Sequence, residues 1–447
     1  MEKDVFMNIH YQISKDIPVV AETDVLVIGG GPGGMSAAVM AARQGCRVML
    51  AESSGGPGGM AYLGEISPFM SNHLNGSSLD APLYVEWNRK MWELEGRPLE
   101  EFSDDVKENL PLSKEIAMLS AEALLEEAHV ECLYHHDFFD VVMEDGLISA
   151  ALFFSKSGLC AVRARMYVDA TGDGDVAWRA GCPYEFGNAD GYGQPMTLCF
   201  KLTDVDIPRM PSREEINRLY DEAKAAGELD CPRENLLWFM APGNNSIHFN
   251  TTRIVKKCGF EGKDLSDAEK EGRRQMLEII RFLRRRVPGF ERARLLSVGS
   301  RIGVRESRRI LGLHYQTVED FKQCRKYPDS VARVVYHVDI HNPAGSGTSF
   351  MRLPPGEWYE LSIRSLVPQK CRNLLMGCRA ISVDHVLYSS LRIMPVVCSI
   401  GQAAGMGAAM AVTLGVDNDG INAVEVHDRL VKAGARLISN SKDMESK

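Results

Sequence analysis

The chain opens its organised part with two short apolar runs, Asp24 to Ile28 and Arg47 to Ala51, each patterned as a strand buried on both faces. A glycine turn follows the first run, and Pro32 to Gln44 is Ala-rich, which predicts a helix with small residues against a sheet and Gly45 as its C-cap. Together they form a βαβ unit of about 30 residues. Residues 76 to 111 are polar and show no clear period. Leu112 to His129 reads as an amphipathic helix, and Val130 to Val168 as short strands, with Asp145-Gly146 and Lys156 to Gly158 as turns. The strand at Met166 to Asp169 runs into the turn ATGDGD. From Glu185 to Val367 polar residues, arginine and irregular proline turns dominate, and Ser266 to Arg286 predicts a long helix opened by a Ser266–Glu269 capping box. Asn373 to Met376 is another buried strand, and a small-residue helix after Pro395 closes the chain.

One stretch has the length of a membrane span: Met394 to Val416 carries no charge. Its Pro395, Gly401, Gly405, Gly407, Gly415 and Gln402, and its small residues in place of leucine, predict a core helix instead, so no membrane span is expected.

Composition narrows the class. With 447 residues the chain is long enough for two to three domains, and 45% hydrophobic with 25% charged residues is the balance of a globular protein. A net charge of −9 argues against nucleic acid as a partner. The 11 cysteines are scattered singly, with no spacing for zinc or an iron–sulfur cluster, and no metal site is expected. Unpaired thiols and a polar N-terminus of mixed charge predict a cytoplasmic protein.

Much of the glycine is clustered, and the clusters carry the chemistry. Gly29-x-Gly31-x-x-Gly34 lies between a predicted strand and helix, where Gly29 permits a tight turn, Gly31 a close approach to pyrophosphate and Gly34 close helix packing. Glu52 ends the second strand, where a carboxylate accepts from ribose hydroxyls. A second glycine-rich stretch, Ser53 to Met60, and the distant strand end and turn Val168 to Asp173 add surfaces that a nicotinamide dinucleotide does not need but a flavin does. FAD is the expected cofactor.

In these blocks the sequence resembles the FAD-dependent oxidoreductases of the glutathione-reductase-like two-dinucleotide-fold superfamily. The resemblance covers nearly the whole chain and is carried by DVLVIGGGPGGMSAAVMAARQG, GGPGGM, VDATGDGDVAWRAG, GQPMTL, SRIGVRESRRILG and GCRAISVDH…SSLRIMPVVCSIGQAAG. It implies an α/β fold, with a Rossmann-like FAD-binding domain of glutathione-reductase type built from 20–184 and 368–440. An α+β substrate domain is inserted at 185–367. It implies ADP contacts from Gly29, Gly31, Gly33, Gly34 and Glu52, flavin contacts from Gly58, Gly59 and Met60, and support from Ala170, Thr171 and Gly172. GQAAG resembles a helix start beneath the flavin, with Gln402, Ala403 and Ala404 offering backbone N–H groups. Where relatives carry a Gly-Asp pair after the last strand, this chain has Cys378 and Arg379, so Arg379 or Asp384 takes the ribityl role. No histidine stands beside Gly58-Gly59, which implies non-covalent FAD. A second strand–glycine–helix unit is missing, which implies a separate electron acceptor or donor.

The substrate side is read from charge. Between Arg273 and Arg309 stand twelve arginines and no lysine. Arg284 to Arg286 suit a solvated helix end. Arg305 is either a clamp for a carboxylate or flavin edge, or a structural ion-pair partner of Glu306 or another carboxylate. His385, Tyr388 and Arg392 follow the last strand of the FAD fold, where His385 suits a proton acceptor and Arg392 an anchor for an acid group; the alternative is a structural histidine. His248 and His341 are weaker candidates. The reaction expected is hydride transfer between FAD and a small polar metabolite, carboxylated or sugar-derived. Alternatives are a fumarate-reductase-like reductase of an activated double bond, a non-catalytic flavin-binding subunit and a plain NAD-dependent dehydrogenase. A homodimer is expected from the prevalence of two-fold assemblies.

Overall fold

The computed structural model describes residues 16–104, 113–241 and 245–438. The first apolar run becomes β1 (Val19–Ile28), whose Val25 to Ile28 are at most 2% exposed. It leads into α1 (Pro32–Arg43), β2 (Val48–Ala51), α2 (Leu83–Leu94), α3 (Lys114–Glu127) and β3 (Glu131–Leu133). Three longer strands follow: β4 (Asp137–Glu144), β5 (Leu147–Ser155) and β6 (Gly158–Asp169). The sheet has seven strands in the order β3-β2-β1-β6-β5-β4, and a late strand, Leu374–Met376, also pairs with β6. Strands β3, β2, β1, β6 and the late strand are parallel, while β5 runs against both β4 and β6. Register brings the carboxyl ends together, with Ile28 beside Ala51 and Asp169, and Asp169 beside Met376. This is a mixed α/β architecture with a Rossmann-like parallel sheet, in which ligands sit outside the carboxyl ends of the strands.

Two details of this part differ from the sequence pattern. The polar stretch from 76 contains α2, which buries Leu83, Tyr84, Trp87, Met91 and Trp92 along one side. Its polar face hid that spacing. α3 starts at Lys114 because Ser113 caps it, accepting from the Ile116 N–H at 3.1 Å; Leu112 lies outside the described residues.

A separate sheet forms from β7 (Phe200–Thr203), β8 (Trp238–Ala241), β9 (Ser246–Phe249) and β10 (Arg294–Val298), all antiparallel in the order β8-β9-β7-β10. α4 (Arg213–Ala225) and α5 (Gly262–Arg286) cover it. Its own core centres on Phe200 stacked on Phe249 at 4.9 Å, with Ile216, Tyr220, Ile279 and Leu283 around them. That core draws on residues 200 to 293, whereas Ile310, Phe321, Val331 and Leu361 join the core of the large sheet. The expected capping box at Ser266 and Glu269 is corrected: α5 begins at Gly262, and Ser266 is inside it. Asp264 takes the first-turn role, accepting from the Cys258 N–H at 2.9 Å, while Glu269 is drawn to the Ile302 N–H at 2.6 Å. Arg284 to Arg286 end α5 exposed, and Arg286 pairs with Glu228.

A hairpin of β11 (Val338–His341) and β12 (Thr348–Met351) packs Val338 into the core of the large sheet and accepts from Arg253 of the second unit at Thr348, and β13 (Leu374–Met376) is the late strand of the large sheet. The chain ends with α6 (His385–Leu391), α7 (Met394–Leu414) and α8 (Ala423–Lys432). α7 is the charge-free stretch. Among the described residues it is the one helix long and apolar enough to cross a membrane, and 89% of its most apolar window is buried inside the fold.

Candidate functional site

The first strand–helix turn has the geometry of a phosphate cradle. Gly29 has φ +105°, and a Cβ there would stand 2.3 Å from the Ala170 carbonyl oxygen, so the turn closes onto the ATGDGD turn only without a side chain. α1 begins after Gly31 with Pro32 in its first position and no side-chain cap, which leaves the N–H groups of Gly33 and Gly34 free for an anion. Gly58 donates to the Gly30 carbonyl at 2.8 Å, and Gly59 is pressed on the turn so closely that its Cβ would lie 2.7 Å from Gly31 Cα. Met60 follows in a short turn of helix, Gly59–Ala61.

Glu52 stands at the end of β2, 6% exposed, and accepts from the N–H groups of Gly30 and Ser54, both at 2.7 Å. These bonds fix the carboxylate beside the cradle, and its remaining lone pairs suit a pair of ribose hydroxyls. On the other side, the buried Asp169 carboxylate organises the second turn, accepting from the Thr171 N–H and hydroxyl and the Ala177 N–H. Arg379 lies across this turn: it pairs with Asp173 at 2.7 Å, and a Cβ on Gly172 would meet its guanidinium at 2.9 Å. Asp384, the alternative to Arg379, instead caps α6, accepting from the Leu387 and Val318 N–H groups.

The expectation for Gln402, Ala403 and Ala404 is corrected. GQAAG lies inside α7, so their N–H groups are held by the helix itself; the free donors at its start belong to Met394 and Val396. Gln402 instead donates from its amide to the Ala81 carbonyl at 3.1 Å. Ile393 and Pro395 mark the helix start, which the small residues further on obscured.

The substrate candidates Arg305, Arg392, His341 and His385 form two groups joined through Gln194. Arg305 is half-buried; it donates to the Pro195 carbonyl at 2.6 Å and the Thr197 hydroxyl, and reaches Asn250 Oδ1 at 3.4 Å. No carboxylate among the described residues is within ion-pair distance of it, and burial, with Arg392 and Arg233 nearby, pushes its pKa down to about 9. Arg392 reaches Gln194 Oε1 at 3.4 Å and Asp339 Oδ2 at 3.8 Å. Asp339 is pulled up by burial, yet hydrogen bonding from His341 and the charges of Arg392 and Arg305 hold it well below the usual carboxylate range. His341 is pushed down to about 3 by burial and Arg305, and its Nδ1 lies 2.9 Å from Arg253, which pairs with Glu234 at 2.7 Å. The second group is His385, whose Nδ1 is 2.8 Å from Glu306 Oε1. Glu306 therefore pairs with His385 and Arg309, and Arg305 is not its partner. Gln194 joins the groups, its backbone N–H on Glu306 Oε2 at 3.1 Å and its side chain on Arg392.

His248 is on β9, with neither ring nitrogen hydrogen-bonded among the described residues, and lies outside this constellation. Tyr388 is buried beside Arg379. The sequence reading missed Gln194, Glu306 and Asp339 as site residues. Gln194 and Glu306 stand inside the GQPMTL and SRIGVRES blocks; Asp339 has no local signal.

A family model described as FAD dependent oxidoreductase matches residues 24–430. A sequence search of curated proteins finds no match. Among solved structures, similarity extends to a geranylgeranyl bacteriochlorophyll reductase-like protein from Thermoplasma acidophilum, at 12% identity and TM-score 0.45 over 92% of this chain and 84% of that one. A myxobacterial chondrochloren halogenase matches at 12% identity and TM-score 0.44, over 94% and 87%. A flavoprotein/dehydrogenase from Cytophaga hutchinsonii matches at 13% and 0.42, over 91% and 82%.

Proposed function

Because the chain belongs to the FAD dependent oxidoreductase family, with FAD as its cofactor, we propose that it transfers a hydride between that flavin and a small carboxylated metabolite. When bound, FAD supplies the two-electron acceptor or donor. Its ADP half is assigned to Gly29, Gly31, Gly33, Gly34 and Glu52, and its flavin half to Gly58, Gly59 and Met60, with Ala170, Thr171, Gly172 and Arg379 in support. The free N–H groups at the start of α1 and the fixed Glu52 carboxylate fit these roles. The binding is non-covalent and the domain of glutathione-reductase type. A separate electron partner, a cytoplasmic setting and a homodimer belong to the same proposal.

The observation that carries the substrate reading is the charge balance around Arg305. Two guanidiniums, Arg305 and Arg392, with Arg233 nearby, act on one carboxylate, Asp339, and Arg305 has no ion-pair partner among the described residues. A carboxylate substrate supplies the missing charge, whereas a neutral sugar does not. Arg305 and Arg392 hold it, and His385 exchanges the substrate's proton. A second reading is reduction of an activated double bond, favoured by the burial that pushes Arg305 down to about 9 and makes it a better proton donor.

Anaerobic stopped-flow mixing tests both. Oxidised enzyme is mixed with 2-hydroxy acids and with the corresponding esters, and photoreduced enzyme with enoates and enoate esters. Bleaching by hydroxy acids but not esters supports the first reading; reoxidation by enoates supports the second. Equal rates for acids and esters would remove the carboxylate, and no reaction in any arm, with a stable redox complex recovered, would favour a flavin-binding subunit.

A further inference from the structure

His385 is backed by a buried carboxylate whose hydrogen bonds are all assigned. Glu306 has a side chain 0% exposed; Oε1 faces His385 Nδ1 at 2.8 Å and accepts from Arg309, and Oε2 accepts from the Gln194 N–H at 3.1 Å. A carboxylate in such a place needs a compensating cation, and Arg309, 3% exposed, is that cation. An ionised carboxylate only accepts hydrogen bonds, so the ring nitrogen facing it must carry the proton. We propose that Glu306 is a positioning residue that holds His385 as the Nδ1–H tautomer and leaves Nε2 as the proton-exchanging atom of the site. Nε2 has no hydrogen-bond partner among the described residues, and the His385 side chain retains 15% exposure.

This assignment rests on the hydride-transfer reading and specifies its proton path. With FAD bound as the two-electron acceptor, oxidation of the substrate's C–H and O–H to a carbonyl would release the O–H proton to Nε2, and His385 would become an imidazolium. Glu306 balances the new charge, and Arg309 keeps Glu306 from taking the proton onward. In the reverse direction Nε2 returns the proton. The backbone of Gln194 holds Glu306 while its side chain meets Arg392, so the proton-exchanging group and the carboxylate anchor are fixed by one residue.

Long-range 15N–1H spectra of the histidine-labelled, FAD-loaded protein test the pair directly, with His385→Asn identifying the signal. The expected spectrum is a single Nδ1–H tautomer, kept in Glu306→Gln, where the amide oxygen still accepts, and replaced by a mixture in Glu306→Leu. Because Glu306→Leu leaves the buried Arg309 with only the more exposed Glu185, at 3.5 Å, as a carboxylate partner, the double variant Glu306→Leu with Arg309→Met removes both charges together and gives the same mixture if the pair is real. An Nε2–H or mixed signal in the wild type, or an unchanged tautomer in the double variant, overturns the inference. The wider reading fails separately: a fixed tautomer combined with undiminished flavin reduction by 2-hydroxy acids in His385→Asn would leave the pair intact and remove its role.

Discussion

Gly401 of α7 rests directly on Gly33 of α1: a Cβ added to Gly401 would stand 2.0 Å from the Gly33 carbonyl oxygen. On its other side Gly33 meets the Gly377 carbonyl, where its own Cβ would also be at 2.0 Å. Three backbone segments thus meet at the start of α1, and α7 sets where the free N–H groups of the phosphate cradle lie.

Gly401→Ala should therefore weaken both fold and cofactor binding. Alanine gains about 1 kcal/mol of helix propensity, but overpacking of this kind costs ~1–3 kcal/mol, and the obstacle here is backbone. The expected result is a lower melting temperature and a weaker FAD affinity, read by thermal denaturation and by release of fluorescent flavin. Gly407→Ala is the control: its Cβ meets only flexible side-chain ends, Leu375 at 3.1 Å and Ile421 at 3.9 Å, and it should melt close to wild type.

The difference between these helices also shows what the sequence makes legible. The βαβ unit and Glu52 are encoded within a short span, where apolar runs, turn glycines and the strand-end carboxylate have fixed spacing. α7 was legible as a buried helix because its small residues must fit against α1, but its start was not, since Ile393 caps it without a side-chain bond and the residues at GQAAG have the same small character. Arg305 and Arg392 were legible as candidate anchors for an acid group. Their arrangement was not, because Gln194 and Asp339 reach Arg392 from a loop and a hairpin far away in the chain. Chain adjacency makes Glu306 one candidate partner for Arg305, whereas the fold turns it to Arg309 and His385.

Glu52→Gln is expected to lose FAD without unfolding the protein. The amide keeps one acceptor, but its NH2 group would face one of the two N–H donors, Gly30 or Ser54, that the carboxylate satisfies. A hydrogen bond to a charged group contributes about 1.5–3 kcal/mol, so FAD affinity should fall roughly 10- to 100-fold. Flavin fluorescence titration of the apoprotein measures it; an unchanged dissociation constant would take Glu52 out of the cofactor site.

Arg305→Met should separate substrate from cofactor. Arg305 bonds to Pro195, Thr197 and Asn250, and to no element of the phosphate cradle. The variant should purify yellow, with the wild-type flavin content. For an acid that reduces the wild-type flavin, loss of a charge-assisted bond predicts a half-saturation concentration roughly 10- to 100-fold higher. Arg305→Lys should recover little, because a lysine ammonium does not reproduce the planar two-point contact. Loss of bound flavin in Arg305→Met would instead place this side chain with the cofactor.

His248 gives a pH dependence whose sign is fixed by burial. It is 2% exposed with no hydrogen bond on either ring nitrogen among the described residues, and burial, with Lys201 nearby, pushes its pKa down to about 3. The unfolded chain binds a proton near pH 6.5 that the folded chain refuses, so this histidine's contribution to stability falls as the pH drops from 6.5 toward 3, by up to ~1.4 kcal/mol per pH unit. Asp80 works in the opposite direction, because burial raises it to about 7 and its neutral form is the one the fold accommodates. Comparing wild type with His248→Leu cancels Asp80 and every other group common to both. Urea unfolding at pH 7, 5.5 and 4.5, at fixed free FAD, should show the variant gaining on the wild type at each step down. Parallel stability curves would mean that His248 is protonated inside the fold.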